Sequence, residues 1–256
     1  MSALEPIIKL KKVNKVFENG TEALKGMDID VFKGQFISFL GPSGCGKSTV
    51  LRMISGLLKP TSGQIEIYKK TLNSSSKSGE IGFVFQDSTL MPWATVEDNV
   101  YLPLRLKGTS KEKVREDIEE ILSKVGLIEF KKSYPRELSG GMKMRVSIAR
   151  ALIVKPKLLL MDEPFAALDE ITRFKLNDDV MSFWKNSDLT VIFVTHSVFE
   201  SVYLSNRVVV MAPRPGRVIA DIVLNDNYPR TEEYRTTSEY AKNCRMVSKY
   251  LKNVVQ

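Results

Sequence analysis

FISFLGPSGCGKST, residues 36–49, decides the fold. An apolar run enters a glycine-rich turn, and VLRMISGLL (50–58) follows with helical spacing, so the stretch reads as strand, loop and helix. Gly41, Pro42, Ser43, Gly44, Cys45, Gly46, Lys47, Ser48 and Thr49 match the pattern GxxxxGK followed by Ser or Thr. In this setting the glycines let the backbone curl until consecutive N–H groups face phosphate oxygens. The helix start adds its positive end, Lys47 reaches the β- and γ-phosphates, and Ser48 offers a hydroxyl to Mg²⁺. The stretch therefore predicts a nucleotide site.

Outward from this loop, similar apolar runs recur as IGFVF (81–85), LLLM (158–161), VIFV (191–194) and VVVM (208–211). Near-continuous apolarity rich in Val, Ile and Phe marks strands buried on both faces of a parallel sheet. SKEKVREDIEEILSKVG (110–126) places Val114, Ile118, Ile121, Leu122 and Val125 on one helical face, with Gly126 as the C-terminal stop. Strands alternating with helices predict an α/β fold, doubly wound around a parallel core. IIKLKKVNKVF, near the start, alternates apolar and polar residues instead, as a half-exposed antiparallel strand does. NSSSKSG (73–79) reads as a short loop. From Asn225 the chain turns polar and Tyr-rich, with Tyr228, Tyr234 and Tyr240 in no recognisable motif.

The chain of 256 residues is 43% hydrophobic and 27% charged, an ordinary globular composition that predicts one large domain with room for a subdomain. No apolar run approaches the roughly 18 residues that cross a bilayer, and the amino terminus lacks the pattern of an export signal, so a cytosolic protein is expected. Two cysteines, Cys45 in the loop and Cys244 near the end, suggest no disulfide framework. A net charge of +8 suits anionic partners in general, whether nucleotide, nucleic acid or membrane surface, without choosing among them.

A phosphate loop needs a carboxylate at the end of a neighbouring strand to hold the metal, and KLLLMDEP (157–164) supplies one. Asp162 suits that role, and Glu163 beside it could polarise an attacking water. The only histidine, His196, stands where VIFV stops. That is the carboxyl end of a predicted strand, where open α/β sheets bind ligands.

ELSGGMKMRVSIARAL (137–152) lies shortly before the acidic pair, and here the sequence resembles the ATP-binding cassette family. The resemblance implies a phosphate-loop core with a parallel sheet, an antiparallel β subdomain, and a helical subdomain (about 90–155) carrying the LSGG signature. Residues 1–225 would form the nucleotide-binding domain and 226–256 a tail of unknown role. It implies ATP and Mg²⁺ as ligands and a head-to-tail homodimer, in which Ser139, Gly140 and Gly141 of one copy face the γ-phosphate held by the other. Gln86 is similar to the residue that touches Mg²⁺ and the attacking water. Asp169 in FAALD matches the dimer-contacting loop, with Ala166 where Ser is commoner, and Met142 replaces the usual Gln after LSGG. Phe17 resembles the aromatic that stacks on adenine, although a strand Phe equally reads as core, and His196 resembles the switch histidine that bonds the γ-phosphate.

The resemblance covers roughly residues 8–220. One motif set and no fused membrane helices imply an importer subunit, peripheral on the cytoplasmic side of the inner membrane. It would work with two membrane permease subunits and, indirectly, a solute-binding protein. FQDSTLMPWATVEDNV (85–100) and VVVMAPRPGRV (208–218) resemble the nitrate, sulfonate and taurine group, which includes importers of pyrimidine vitamin precursors. Leu90, Met91, Pro92 and Trp93 form an apolar cluster suited either to receiving a membrane subunit's helix or, through Trp93, to packing inside the helical subdomain. The alternative, a soluble cassette ATPase acting on nucleic acid, usually has two cassettes or a coiled-coil insertion. Neither is visible, so no nucleic-acid partner is expected.

Overall fold

In chain order the strands and helices are β1 (Pro6–Val16), β2 (Glu22–Phe32), β3 (Phe36–Leu40), α1 (Lys47–Ile54), β4 (Ser62–Ile67) and β5 (Lys70–Thr71). There follow β6 (Ile81–Val84), α2 (Val96–Leu106), α3 (Arg115–Lys124), α4 (Gly140–Leu152), β7 (Leu158–Asp162) and α5 (Glu170–Lys185). The last are β8 (Thr190–Thr195), α6 (Val198–Leu204), β9 (Arg207–Ala212), β10 (Arg217–Val223) and α7 (Ser238–Val255). This computed structural model describes residues 5–68, 70–71, 81–226, 228 and 230–255; the expected loop at 73–79 lies outside them. The described residues fall into two units. One runs up to Thr71 and resumes at Met181, and the other lies within Gly79–Val180.

In the first unit β1, β2, β4 and β5 form an antiparallel sheet in the order β2-β1-β4-β5. The alternation in β1 buries Ile8 and Leu10 and would next bury Lys12. Instead the register shifts between Leu10 and Val13, Lys12 takes a left-handed backbone (φ 47°), and Val13 enters the core. A bulge thus keeps a lysine out of the apolar layer. The second sheet region runs β10-β9-β3-β8, with β3 parallel to both β8 and β9 and β10 antiparallel on the edge. All five residues of β3 and all six of β8 are buried, as a two-sided parallel core requires. Burying each large apolar side chain here contributes about 1.5–3 kcal/mol. Helices α1, α6 and α7 pack on these strands. The Tyr-rich end of the chain therefore belongs to this packing: Tyr240, Cys244 and Val247 form the buried stripe of α7, and burial raises the Cys244 thiol to about 11.

In the second unit β6 and β7 pair in parallel, from Ile81↔Leu158 to Val84↔Met161, and α2, α3 and α4 pack on one another, with α4 against β6. The strand expected at 81–85 ends at Val84. The helix expected over 110–126 begins at Arg115, preceded by a 3-10 turn at Glu112–Val114. Ahead of that turn the Lys111 ammonium bridges Glu97 (2.8 Å) and Asp98 (2.6 Å) in the first turn of α2, a long-range tie that helical periodicity does not report. Val114, Ile118, Leu122 and Val125 are buried as expected, and Ile121 is half-buried. Gly126 (φ 69°) closes α3, with its N–H on the Ser123 carbonyl (3.0 Å) and the Leu127 N–H on the Leu122 carbonyl (2.8 Å), a Schellman stop. Among the described residues no helix is long and apolar enough to cross a membrane.

Candidate functional site

In the first unit the phosphate loop spans the carboxyl end of β3 and the start of α1. Gly46 is the N-cap of α1 in a left-handed conformation (φ 89°), gives no side-chain cap, and no acid stands in the first turn. The helix therefore presents its uncapped positive end to the loop. A Cβ on Gly46 would meet Leu24 Cδ2 at 2.7 Å and the Ala23 carbonyl oxygen at 2.9 Å, so only glycine fits. Lys47 is buried, and its ammonium donates to the carbonyls of Gly41 (2.9 Å) and Pro42 (3.0 Å), folded over the loop it serves. Register carries His196 to the same end: Leu40 pairs with Thr195, so Gly41 and His196 each follow the last residue of adjacent parallel strands, whose spacing is about 4.8 Å. His196 is exposed there. Phe17 lies just beyond β1, in the turn closed by its N–H on the Thr21 carbonyl (3.0 Å). The residue is 39% exposed, so it is not a core residue, and the Lys15 ammonium stands 5.4 Å from its ring centroid.

The second unit uses the same device. Val84 pairs with Met161, which puts Gln86 and the Asp162–Glu163 pair beyond the carboxyl ends of two parallel strands. Asp162 closes β7 and is buried, whereas Glu163 is half-buried with φ 47°. A left-handed backbone costs a residue with a side chain about 1–2 kcal/mol, a local strain of the kind that clusters at working sites. Ser139 is the N-cap of α4, its Oγ accepting the Met142 N–H (3.2 Å). The signature start packs closely on the segment after the acidic pair: a Cβ on Gly141 would meet Thr172 Cγ2 at 2.4 Å. Asp169 lies in that segment and accepts the Thr172 N–H (2.9 Å). That hydrogen bond holds its carboxyl below the usual aspartate range. Ser48, Asp162 and Gln86 offer hydroxyl, carboxylate and amide oxygens, the hard donors that Mg²⁺ takes. Among the described residues there is no group of three or more His, Cys, Asp or Glu that could hold a metal ion.

Several contributors escape motif reading. Gly216 sits beneath the phosphate loop: a Cβ there would lie 2.3 Å from the Cys45 carbonyl oxygen and 2.6 Å from that of Ala23. The PG dipeptide signals a turn, and nothing local says what the turn supports. In the second unit Asn99, fully buried, takes the Met91 N–H (2.7 Å) and donates to the carbonyls of Met91, Ala94 and Thr95. The Arg150 guanidinium donates to the Ser88 (2.9 Å) and Thr89 (2.8 Å) carbonyls. Together they fix the segment after Gln86 and hold up Trp93, 76% exposed.

A family described as ABC transporter matches residues 24–166. An uncharacterized ABC transporter ATP-binding protein of Methanocaldococcus jannaschii is 42% identical over 251 residues, 97% of this chain and 92% of its own. An aliphatic sulfonates import ATP-binding protein of Bacillus cereus is 41% identical over 238 residues, 92% of this chain and 93% of its own. Among solved structures, a dimeric ATP-binding cassette in a post-hydrolysis state, bound to ADP and Pi, matches with a TM-score of 0.76 at 34% identity, over 86% of this chain and 100% of that one.

Proposed function

Because the chain belongs to the ABC transporter family and is an ATP-binding ATPase subunit of it, we propose that it works as a head-to-tail homodimer. The dimer would drive uptake of a small solute through two separate membrane permease subunits. The observation that carries the reading is the repeated strand-end arrangement. In one unit the register Leu40↔Thr195 sets the phosphate loop beside His196, and in the other Val84↔Met161 sets Gln86 beside the acidic pair.

Each residue then has a chemical task. The uncapped start of α1 and the loop N–H groups bind the phosphates, and Lys47 exchanges its carbonyl partners for phosphate oxygens. Ser48, Asp162 and Gln86 would hold Mg²⁺, which would supply positive charge against the phosphates. Glu163 accepts a proton from the attacking water, and His196 donates a hydrogen bond to the γ-phosphate. From the second copy, Ser139 supplies its O–H, since a phosphate oxygen can only accept, while its oxygen keeps the Met142 N–H, and Gly140 and Gly141 supply N–H groups. Asp169 lines the contact between copies, and Phe17 stacks on adenine.

The import role draws on likeness to the aliphatic sulfonates import ATP-binding protein and on the raised Trp93, an aromatic anchor for a permease helix. The solute is then a small one of the sulfonate, nitrate, taurine or pyrimidine-precursor kind, delivered by a solute-binding protein, with this subunit peripheral on the cytoplasmic side of the inner membrane. Glu163→Gln tests the reaction. ATP binding persists, hydrolysis falls by about 10²–10⁴-fold, and a dimer accumulates in light scattering. Turnover near the wild-type rate would remove Glu163 from the role of base. Co-purification of the chain with two hydrophobic subunits tests the import role.

A further inference from the structure

The residues on either side of His196 are tied to a single acid. The Thr195 hydroxyl donates to the Glu200 carboxylate and accepts the Ser197 N–H (3.0 Å), while the Ser197 hydroxyl accepts the Glu200 N–H (3.3 Å). Glu200 is buried in the first turn of α6, so the turn bearing the imidazole moves with that helix. α6 has only seven residues, too few to hold its own position in water. Its far end is clamped by residues remote in sequence. Arg230, 4% exposed, donates through one guanidinium nitrogen to the carbonyls of Val202, Tyr203 (3.0 Å) and Ser205 (2.9 Å), groups left unpaired where a helix stops. Asp226 balances the charge at 3.3 Å and itself receives the Tyr234 hydroxyl and the Asn243 amide (2.8 Å). The rings of Tyr228 and Tyr234 flank the guanidinium at 4.3 and 5.0 Å. Two further ties fasten the helix. The Tyr203 hydroxyl donates to the Arg230 carbonyl (3.2 Å), and the Ser205 hydroxyl bonds Ser38 in β3, the strand that feeds the phosphate loop.

We propose that Arg230 and Asp226 are positioning residues for His196: by gripping the carboxyl end of α6 they set where the imidazole stands at the end of β8. The inference rests on the role assigned to His196 above, and its test separates the two. His196 is the only histidine, so in the full chain carrying a histidine-free purification tag its Cε1–Hε1 correlation is a single NMR signal. Three variants are compared with the wild type. Arg230→Met removes the fork. Asp226→Asn with Arg230→Met removes it without leaving a buried carboxylate unpaired. Arg230→Lys keeps the charge but lacks the planar fork.

The expected result is a shifted or split imidazole signal in both Met variants. ATP affinity stays within about twofold, KM is unchanged, and kcat is lower by about 10- to 100-fold, the scale of an ångström-sized misplacement. Arg230→Lys recovers the signal and kcat in part, and where the Met variants unfold it carries the test alone through an intermediate shift. A folded variant with wild-type imidazole signal and kcat overturns the proposal, as does a parallel loss of ATP affinity and kcat with the signal unmoved. Should His196→Ala keep the wild-type kcat, the role of His196 falls, while the displaced signal in the Arg230 variants still stands or fails by itself.

Discussion

Two helix starts in this molecule differ in what they leave open. α1 begins at a left-handed glycine with no side-chain cap, and the lysine of its first turn rests on loop carbonyls. α4 begins at Ser139, whose hydroxyl already satisfies the Met142 N–H. The first start has no side-chain cap, and on the proposed reading phosphate takes that place. The second carries its own cap, and on the same reading it lends its hydroxyl hydrogen and the Gly140 and Gly141 N–H groups to a phosphate held by the other copy. On that reading one helix start is a receptor and the other an accessory, the division of labour that a site shared between two copies requires.

The largest effect expected of this difference is on nucleotide affinity. Lys47→Ala removes charge-assisted bonds worth about 1.5–3 kcal/mol each, so ATP affinity of the monomer falls by roughly 100-fold or more in calorimetry. Ser139→Ala leaves that affinity unchanged and lowers hydrolysis. If Ser139→Ala binds ATP as poorly as Lys47→Ala, the contrast between receptor and accessory is gone. Next comes stability. Gly46→Ala forces a side chain into a left-handed backbone against Leu24 and Ala23 and costs about 2–4 kcal/mol in denaturant unfolding.

Ser139→Ala loses a cap, worth about 1 kcal/mol. Ser139→Asp sharpens the distinction: the carboxylate restores the cap and the stability, yet hydrolysis stays low because a negative group now faces the γ-phosphate. Recovery of hydrolysis in Ser139→Asp would show that only the cap mattered. The smallest effect concerns Asp169. Its folded-state pKa is lowered, chiefly by the Thr172 N–H, so its contribution is complete above the unfolded value of about 4 and disappears as pH falls through the lower folded value. Hydrogen-exchange protection in the first turn of α5 should fall over that acid range, and Asp169→Asn should flatten the dependence.

The strands at 36–40, 158–161, 191–194 and 208–211 were legible because two-sided burial writes itself as an uninterrupted apolar run. The strand at 81–85 lost its last residue and the helix at 110–126 its first turns, since the limits of an element depend on neighbours such as the Glu97–Asp98–Lys111 cluster. Phe17 had two local readings, core or exposed, and only its surroundings chose the second. Gly216, Asn99, Glu200 and Arg230 gave no motif at all. Taken singly, each is an ordinary turn glycine, helix amide, helix acid or tail arginine.

By itself, then, the sequence determined the chemistry that contiguous residues encode. It specified a strand that must be buried, a loop that must curl, a helix that must start there, and acids and a histidine at strand ends. Tertiary structure alone decided the approaches between residues far apart in the chain: Gly216 under the carbonyl of Cys45, Gly141 against Thr172, and Arg230 across the end of α6. The physical reason is range. Backbone preference and periodicity act within a few residues, whereas close packing and the pairing of buried carbonyls are satisfied only once the chain has returned on itself.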